Sequence, residues 1–170
     1  MALDVSRLLA ITKNELIQSD VNLDYLEQIN KRNLKNIVVY GRRGLVQSSF
    51  SLKELREMTK LENAKLWLVE EDVERSMTEA SIIESTATTK LAHFQTARAL
   101  KRKLDLFKNS FEVIKEKDLQ SLLDGVGGEK DKINLIFRFL FKPKEILTDD
   151  KNFVKEIKFS RTKLQVFFFV

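Results

Sequence analysis

The sequence predicts a mainly α protein: a helical bundle with long amphipathic helices, followed by a small antiparallel β element at the C-terminus, α+β in all. Three observations lead there. Between Leu45 and Asp124 there is neither glycine nor proline, and apolar residues recur every three or four positions, the spacing that lines one face of a helix. One proline and five glycines in the whole chain leave little turn material for short elements. Beyond Gly128 the apolar period changes from about 3.6 to about 2, the alternation of a strand.

Composition bounds the class. With 170 residues, 43% apolar and 32% charged, the chain has material for a core and lacks the apolar-poor make-up of a disordered one. The absence of cysteine removes disulfides, thiolate nucleophiles and cysteine metal sites together. Asp4, Arg7, Lys13 and Glu15 break up the stretch Met1 to Ile17, so it has no signal-peptide centre, and no apolar run reaches the roughly 18 residues of a membrane helix. The expected location is cytoplasmic, or nuclear in a eukaryote.

Taken in order, Val5, Leu8, Leu9 and Leu16, then Leu23, Leu26, Ile29 and Leu34 after an Asn22 cap, mark two short amphipathic helices. Ile37 to Tyr40 and Leu45-Val46, about the turn Gly41-Arg42-Arg43-Gly44, suggest a small hairpin at 37–46, or else a helix end and a loop. Ser51-Leu52-Lys53-Glu54 has the spacing of a capping box, in which serine oxygen and glutamate carboxylate each satisfy an orphan N–H at a helix start. Leu66, Val69, Val73, Met77, Ala80, Ile83, Ala87, Leu91 and Phe94 then read as one long helix, or two broken near Ser85 to Thr89, where poor helix formers cluster. A further helix is expected from Lys90 to Lys115 and a short one over Leu119 to Leu123, with Gly125 as C-cap. The domain division is 1–124 helical, 125–131 glycine linker and 132–170 a small subdomain holding eight of the twelve phenylalanines. Its last hairpin is expected to turn near Ser160 to Lys163, and Ile133 to Phe141 fits either strand or helix.

Charge is segregated. Residues 28–53 carry six basic residues and no acid: Lys31, Arg32, Lys35, Arg42, Arg43 and Lys53. Residues 54–84 hold nine acids against four bases, and 85–117 hold eight bases against three acids, with Arg98, Lys101, Arg102 and Lys103 close together. Such blocks steer anions or fit a complementary subunit, although a charge run is commonly a solvated face. Arg42 and Arg43 are the least ordinary of these, because a glycine-bounded turn lets guanidinium groups reach phosphate in fork geometry. The contacts expected for phosphate or nucleic acid are therefore Lys31, Arg32, Lys35, Arg42, Arg43, Arg98, Lys101, Arg102 and Lys103.

Catalytic motifs are scarce. His93 is the only histidine, so a triad or a zinc site is unsupported. Glu70, Glu71, Asp72 and Glu74 read as a solvated acidic face, with Glu71 pairing to Arg75 one turn on. Neither glycine cluster has the frame of a phosphate loop. A helix-turn-helix over Ser51 to Met77 would place those same acids against DNA, which repels them. In the run Phe167-Phe168-Phe169, alternate residues face opposite sides of a strand, so at least one face must meet something apolar beyond its own hairpin, either the helical domain or another chain.

The function expected is a non-enzymatic assembly or adaptor subunit of a complex handling nucleic acid, with Phe167, Phe168 and Phe169 at the partner interface. The alternative is a direct nucleic-acid-binding protein using basic patches at 31–43 and 98–103. No cofactor, no metal, no membrane and no small-molecule substrate are expected, whereas a protein partner or homo-oligomer is. In outline, a helical domain, a glycine linker and a small β domain resemble the subunits of the GINS replication complex, which implies a place in DNA replication.

Overall fold

Every residue of Ile133 to Phe139 is buried, and a strand buried on both faces belongs to the interior of a parallel sheet. In the computed structural model, which describes residues 2–18, 20–31, 33–86, 97–126, 128 and 131–162, this segment is β4 of a four-stranded sheet ordered β1-β4-β2-β3. The other strands are β1 (Asn36–Gly41), β2 (Ala64–Val69) and β3 (Glu112–Ile114), and all three pairings are parallel. The helices are α1 (Ala2–Ala10), α2 (Lys13–Leu16), α3 (Leu23–Lys31), α4 (Leu52–Met58), α5 (Glu70–Ser76), α6 (Glu79–Thr86), α7 (Ala97–Ser110) and α8 (Glu116–Leu123). Two antiparallel strands, β5 (Phe141–Thr148) and β6 (Val154–Arg161), form a separate ribbon.

The helical bundle is thus corrected to an α/β fold with a parallel sheet. The largest departure lies in residues 62–115, where β2 and β3 stand in place of expected helix. Leu66, Trp67, Leu68 and Val69 are buried consecutively, so β2 has no period-2 signature and its apolar run passes for part of a helix. The hairpin at 37–46 is likewise replaced: β1 pairs with β4 rather than with Leu45-Val46, which are buried in a loop. The expected linker at 125–131 does not separate two cores, because β4 lies between β1 and β2. The ribbon turns at Asp149 to Asn152, with the Asp149 carboxylate accepting from the amides of Lys151 and Phe153; Ser160 and Arg161, expected in a turn, belong to β6, and the second arm of that expected hairpin lies outside the described residues. Of the expected break at Ser85 to Thr89, residues 87–89 lie outside the described residues, as do His93, Phe167, Phe168 and Phe169.

Alternation along the strands sends side chains to two cores. On one face Ile37, Val39, Leu66, Leu68, Leu135, Phe137 and Phe139 pack with Leu3 of α1, Leu55 and Met58 of α4 and Phe107 of α7. On the other, Trp67, Val69 and Ile136 pack with Leu119 and Leu122 of α8. The capping box at α4 is formed, Ser51 and Glu54 each accepting the other's amide.

The second face also carries a buried ion cluster. Asp72 of α5 has no exposed surface. Its carboxylate accepts from Arg138 Nε at 2.6 Å, Arg161 Nη1 at 2.8 Å and the Phe139 amide at 3.2 Å. Glu116 accepts from the same two arginines at 2.8 and 2.7 Å. Both guanidinium groups stand over the Phe141 ring, 4.6 and 4.5 Å from its centre, an arrangement favoured by the ring quadrupole. This cluster joins helix, sheet and ribbon. Removing one partner of a buried pair strands the other charge, at about 3–5 kcal/mol, whereas an exposed pair contributes about 0–1 kcal/mol.

Burial alone would lower the Arg138 pKa, but the hydrogen bond and charge of Asp72, then those of Glu116, raise it above its ordinary value. For Glu116, burial opposes ionisation, yet the Arg138 hydrogen bond and the charges of Arg161 and Arg138 outweigh it and lower its pKa. A carboxylate lowered on folding contributes stability in full above its unfolded pKa and loses it as pH falls through the native value.

Asp72→Ala is expected to lower unfolding free energy by about 3–5 kcal/mol in urea titration, against under about 1 kcal/mol for Glu145→Gln, whose pair with Lys158 is half exposed on both sides. Acid unfolding followed by circular dichroism should begin below the ordinary glutamate value of 4.5. Glu116→Gln should flatten that limb without abolishing it, because Glu15 and Glu54 are also lowered, chiefly by their capping hydrogen bonds.

Candidate functional site

Parallel sheets bind ligands beyond the carboxyl ends of their strands, where loops are free of the ladder. In this chain the carboxyl end of β1 runs straight into Gly41-Arg42-Arg43-Gly44. Both arginines are exposed while Gly44, Leu45 and Val46 are buried, so the turn is anchored from behind and presents its charges outward. Gly41 lies against the Phe139 ring, where a Cβ would stand at 3.4 Å, ordinary van der Waals contact.

A cleft of about 280 Å³ opens at this point, lined by Ala2, Gly41, Arg42, Arg43, Ser48 and Phe50 together with residues of β1 and β4. Ala2 belongs to α1, which carries Asp4 in its first turn. Two guanidinium groups and two serines, Ser48 and Ser49, therefore share one cavity. That set is suited to a phosphate, and residues 28–53 contain no acid to oppose it.

The backbone of the turn is fixed from the far side. The Thr162 hydroxyl donates to the Arg42 carbonyl at 2.8 Å, the Thr162 amide to the Leu140 carbonyl at 2.8 Å, and the Leu140 amide to the Arg43 carbonyl at 3.4 Å. Leu140 adopts φ of 65°, the left-handed conformation that ends β4 and lets the ribbon begin. Tyr40 stacks on Phe159 with ring centres 4.0 Å apart, closing the base of the ribbon on β1.

The predicted basic residues do not form one patch. Lys31 and Lys35 are exposed at the amino end of β1, a strand length of about 20 Å from Arg42 and Arg43. Arg32 lies outside the described residues, and of Arg98 only the helical backbone is described. Lys101 and Arg102 are exposed on α7, but Lys103 is 2% exposed and donates to the Ser48 carbonyl at 2.6 Å. The acidic run is also divided: Asp72 is turned inward and organises the ion cluster, and Glu71 accepts the Glu116 amide rather than pairing with Arg75. Sequence reasoning placed the basic turn but missed Ser48, Ser49 and Phe50, which only the folding back of the 44–50 loop brings beside it.

The chain thus combines a parallel α/β sheet with a basic turn at the carboxyl end of β1. No known family profile matches the chain. It is 33% identical to the probable NADPH:adrenodoxin oxidoreductase, mitochondrial, of Dictyostelium discoideum, over 96% of this chain and 30% of that protein. It is 27% identical to the NADPH:adrenodoxin oxidoreductase, mitochondrial, of Arabidopsis thaliana, over 97% of this chain and 30% of that protein. Among solved structures, Mycobacterium tuberculosis FprA in complex with NADPH shares the fold at a TM-score of 0.58 and 21% identity, over 95% of this chain and 35% of that one. The chain thus spans about 30% of the length of its curated relatives.

These similarities overturn several expectations. The relatives are oxidoreductases, so the non-enzymatic adaptor, the nucleic-acid-binding alternative and the likeness to a replication subunit are withdrawn. Their names include NADPH, against the expectation of no small-molecule substrate. Both are mitochondrial by name, which corrects the cytoplasmic or nuclear reading: lack of an apolar signal centre speaks to secretion and not to organelle import. Among the described residues no helix is long and apolar enough to cross a membrane.

Proposed function

We propose that this chain is the NADPH-holding portion of an oxidoreductase of the adrenodoxin- or ferredoxin-reductase kind, with Arg42 and Arg43 receiving the phosphate on the adenosine ribose. The observation that carries this reading is the position of the two arginines at the carboxyl end of β1, over the cleft that α1 also enters. In sheets of this type a carboxylate near that strand end takes the ribose hydroxyls of NADH, whereas arginine accommodates the extra phosphate of NADPH. The acid-free stretch 28–53 meets the second requirement and fails the first.

Bound NADPH supplies a hydride, and the protein's part is to hold and orient it. The guanidinium forks match phosphate oxygens in pairs, and Phe50 and Val39 supply the apolar wall. A protein electron acceptor of the adrenodoxin or ferredoxin kind accords with the relatives' names.

Fluorescence titration should show NADPH binding at least about tenfold tighter than NADH, with the advantage shrinking as salt is raised. Loss of one charge-assisted contact, at about 1.5–3 kcal/mol, makes Arg42→Ala or Arg43→Ala weaken NADPH roughly 10- to 100-fold and leave NADH nearly unchanged. Equal affinities for the two nucleotides in the unaltered chain would contradict the assignment.

A further inference from the structure

The 44–50 loop that walls the cleft is clamped at two points by helices distant in sequence. On one side the Gln47 side-chain amide donates to the Ser81 hydroxyl of α6 at 3.0 Å. On the other, Lys103 of α7 sends its ammonium inward to the Ser48 carbonyl at 2.6 Å, with the Ser48 hydroxyl at 3.5 Å. That hydroxyl in turn donates to the Leu45 carbonyl at 2.7 Å. Lys103 is 2% exposed, between the exposed Arg102 and the half-buried Leu104.

A buried ammonium is a demanding way to hold a loop, since an apolar side chain would fill the same space without its desolvation cost. It differs from an apolar filler in that a charge-assisted hydrogen bond fixes one carbonyl in direction as well as position. That effect reaches the cleft, because the residue whose carbonyl it holds, Ser48, lines that cavity with Ser49, Phe50, Arg42 and Arg43.

We propose that Lys103 is a positioning residue for phosphate recognition, holding the Ser48–Phe50 wall against the basic turn so that the cleft favours the phosphorylated nucleotide. This rests on reading the cleft as an NADPH site. It assigns a role at that site to a basic residue that does not itself meet the ligand.

The test compares K103M and K103R with R43A in the full chain, measuring dissociation constants for NADPH and NADH and the melting temperature. K103M is expected to cut the NADPH preference about tenfold, the loss of one charge-assisted hydrogen bond, and K103R to restore it to within about threefold. A purely structural lysine would lower the melting temperature of K103M and leave the preference intact, and that result overturns the proposal. If R43A also leaves the preference intact, the cleft reading fails as well; if R43A abolishes it and K103M does not, only the role of Lys103 fails. Should K103M not fold, amide exchange in the unaltered chain decides: NADPH must slow exchange across Leu45 to Phe50, and no slowing there overturns the proposal.

Discussion

The carboxylate of Asp72 is the contact on which the carboxyl edge of the sheet depends. It is fully buried, and it accepts from a β4 side chain, a β4 backbone amide and a β6 side chain at once. The Phe139 bond fixes the last residue of β4, immediately before Leu140 turns the chain into the left-handed region. From there the ribbon leaves and returns, and its end, Thr162, donates to the Arg42 carbonyl. A single interior anion thus sets the path of the strand, the root of the ribbon and the far side of the basic turn. The exposed pair Glu145–Lys158 on the ribbon has no comparable reach, because water competes for both partners.

A second polar system crosses the sheet at its other end. The Trp67 indole donates to the Asn134 side chain at 3.1 Å, Asn134 donates to Asn36 at 3.0 Å, and Asn36 donates to the Leu123 carbonyl at 2.8 Å. Three strands and the end of α8 are joined in one line. Satisfied networks of this kind fix register, since a slip leaves buried amides unpaired. Gly128 belongs to the same arrangement, because a Cβ there would lie 3.1 Å from the Asn134 amide nitrogen.

Part of this was legible in the sequence. Gly41-Arg42-Arg43-Gly44 stood out because arginines in a turn and an acid-free surrounding are visible without a fold, and the Ser51 cap follows from a local spacing. The parallel sheet was not legible, because β2 is buried on both faces and carries no alternation that separates strand from helix, and the alternation in β4 does not show that its neighbours are β1 and β2. Nor could spacing show which charges turn inward. Asp72 sits among Glu70, Glu71 and Glu74 and reads as surface, and Lys103 follows Lys101 and Arg102 and reads as part of a basic face. In both cases the meaning comes from a partner 55 or more positions away. The expectation of a non-enzyme failed for a related reason: in a nucleotide-dependent enzyme the ligand carries the redox chemistry, so the absence of cysteine and near-absence of histidine excludes little.

The similarity to reductases covers this chain almost from end to end, yet only about 30% of the relatives themselves. What this portion does therefore turns on the proposed nucleotide site. Nitrogen-labelled chain titrated with NADPH and followed by two-dimensional NMR is the most direct measurement. The amides of Tyr40 to Gly44 and Ser48 to Phe50 should shift together and saturate, with NADH moving them far less at equal concentration. Shifts confined to α8 or the ribbon, or equal shifts with both nucleotides, would contradict an NADPH site at the basic turn.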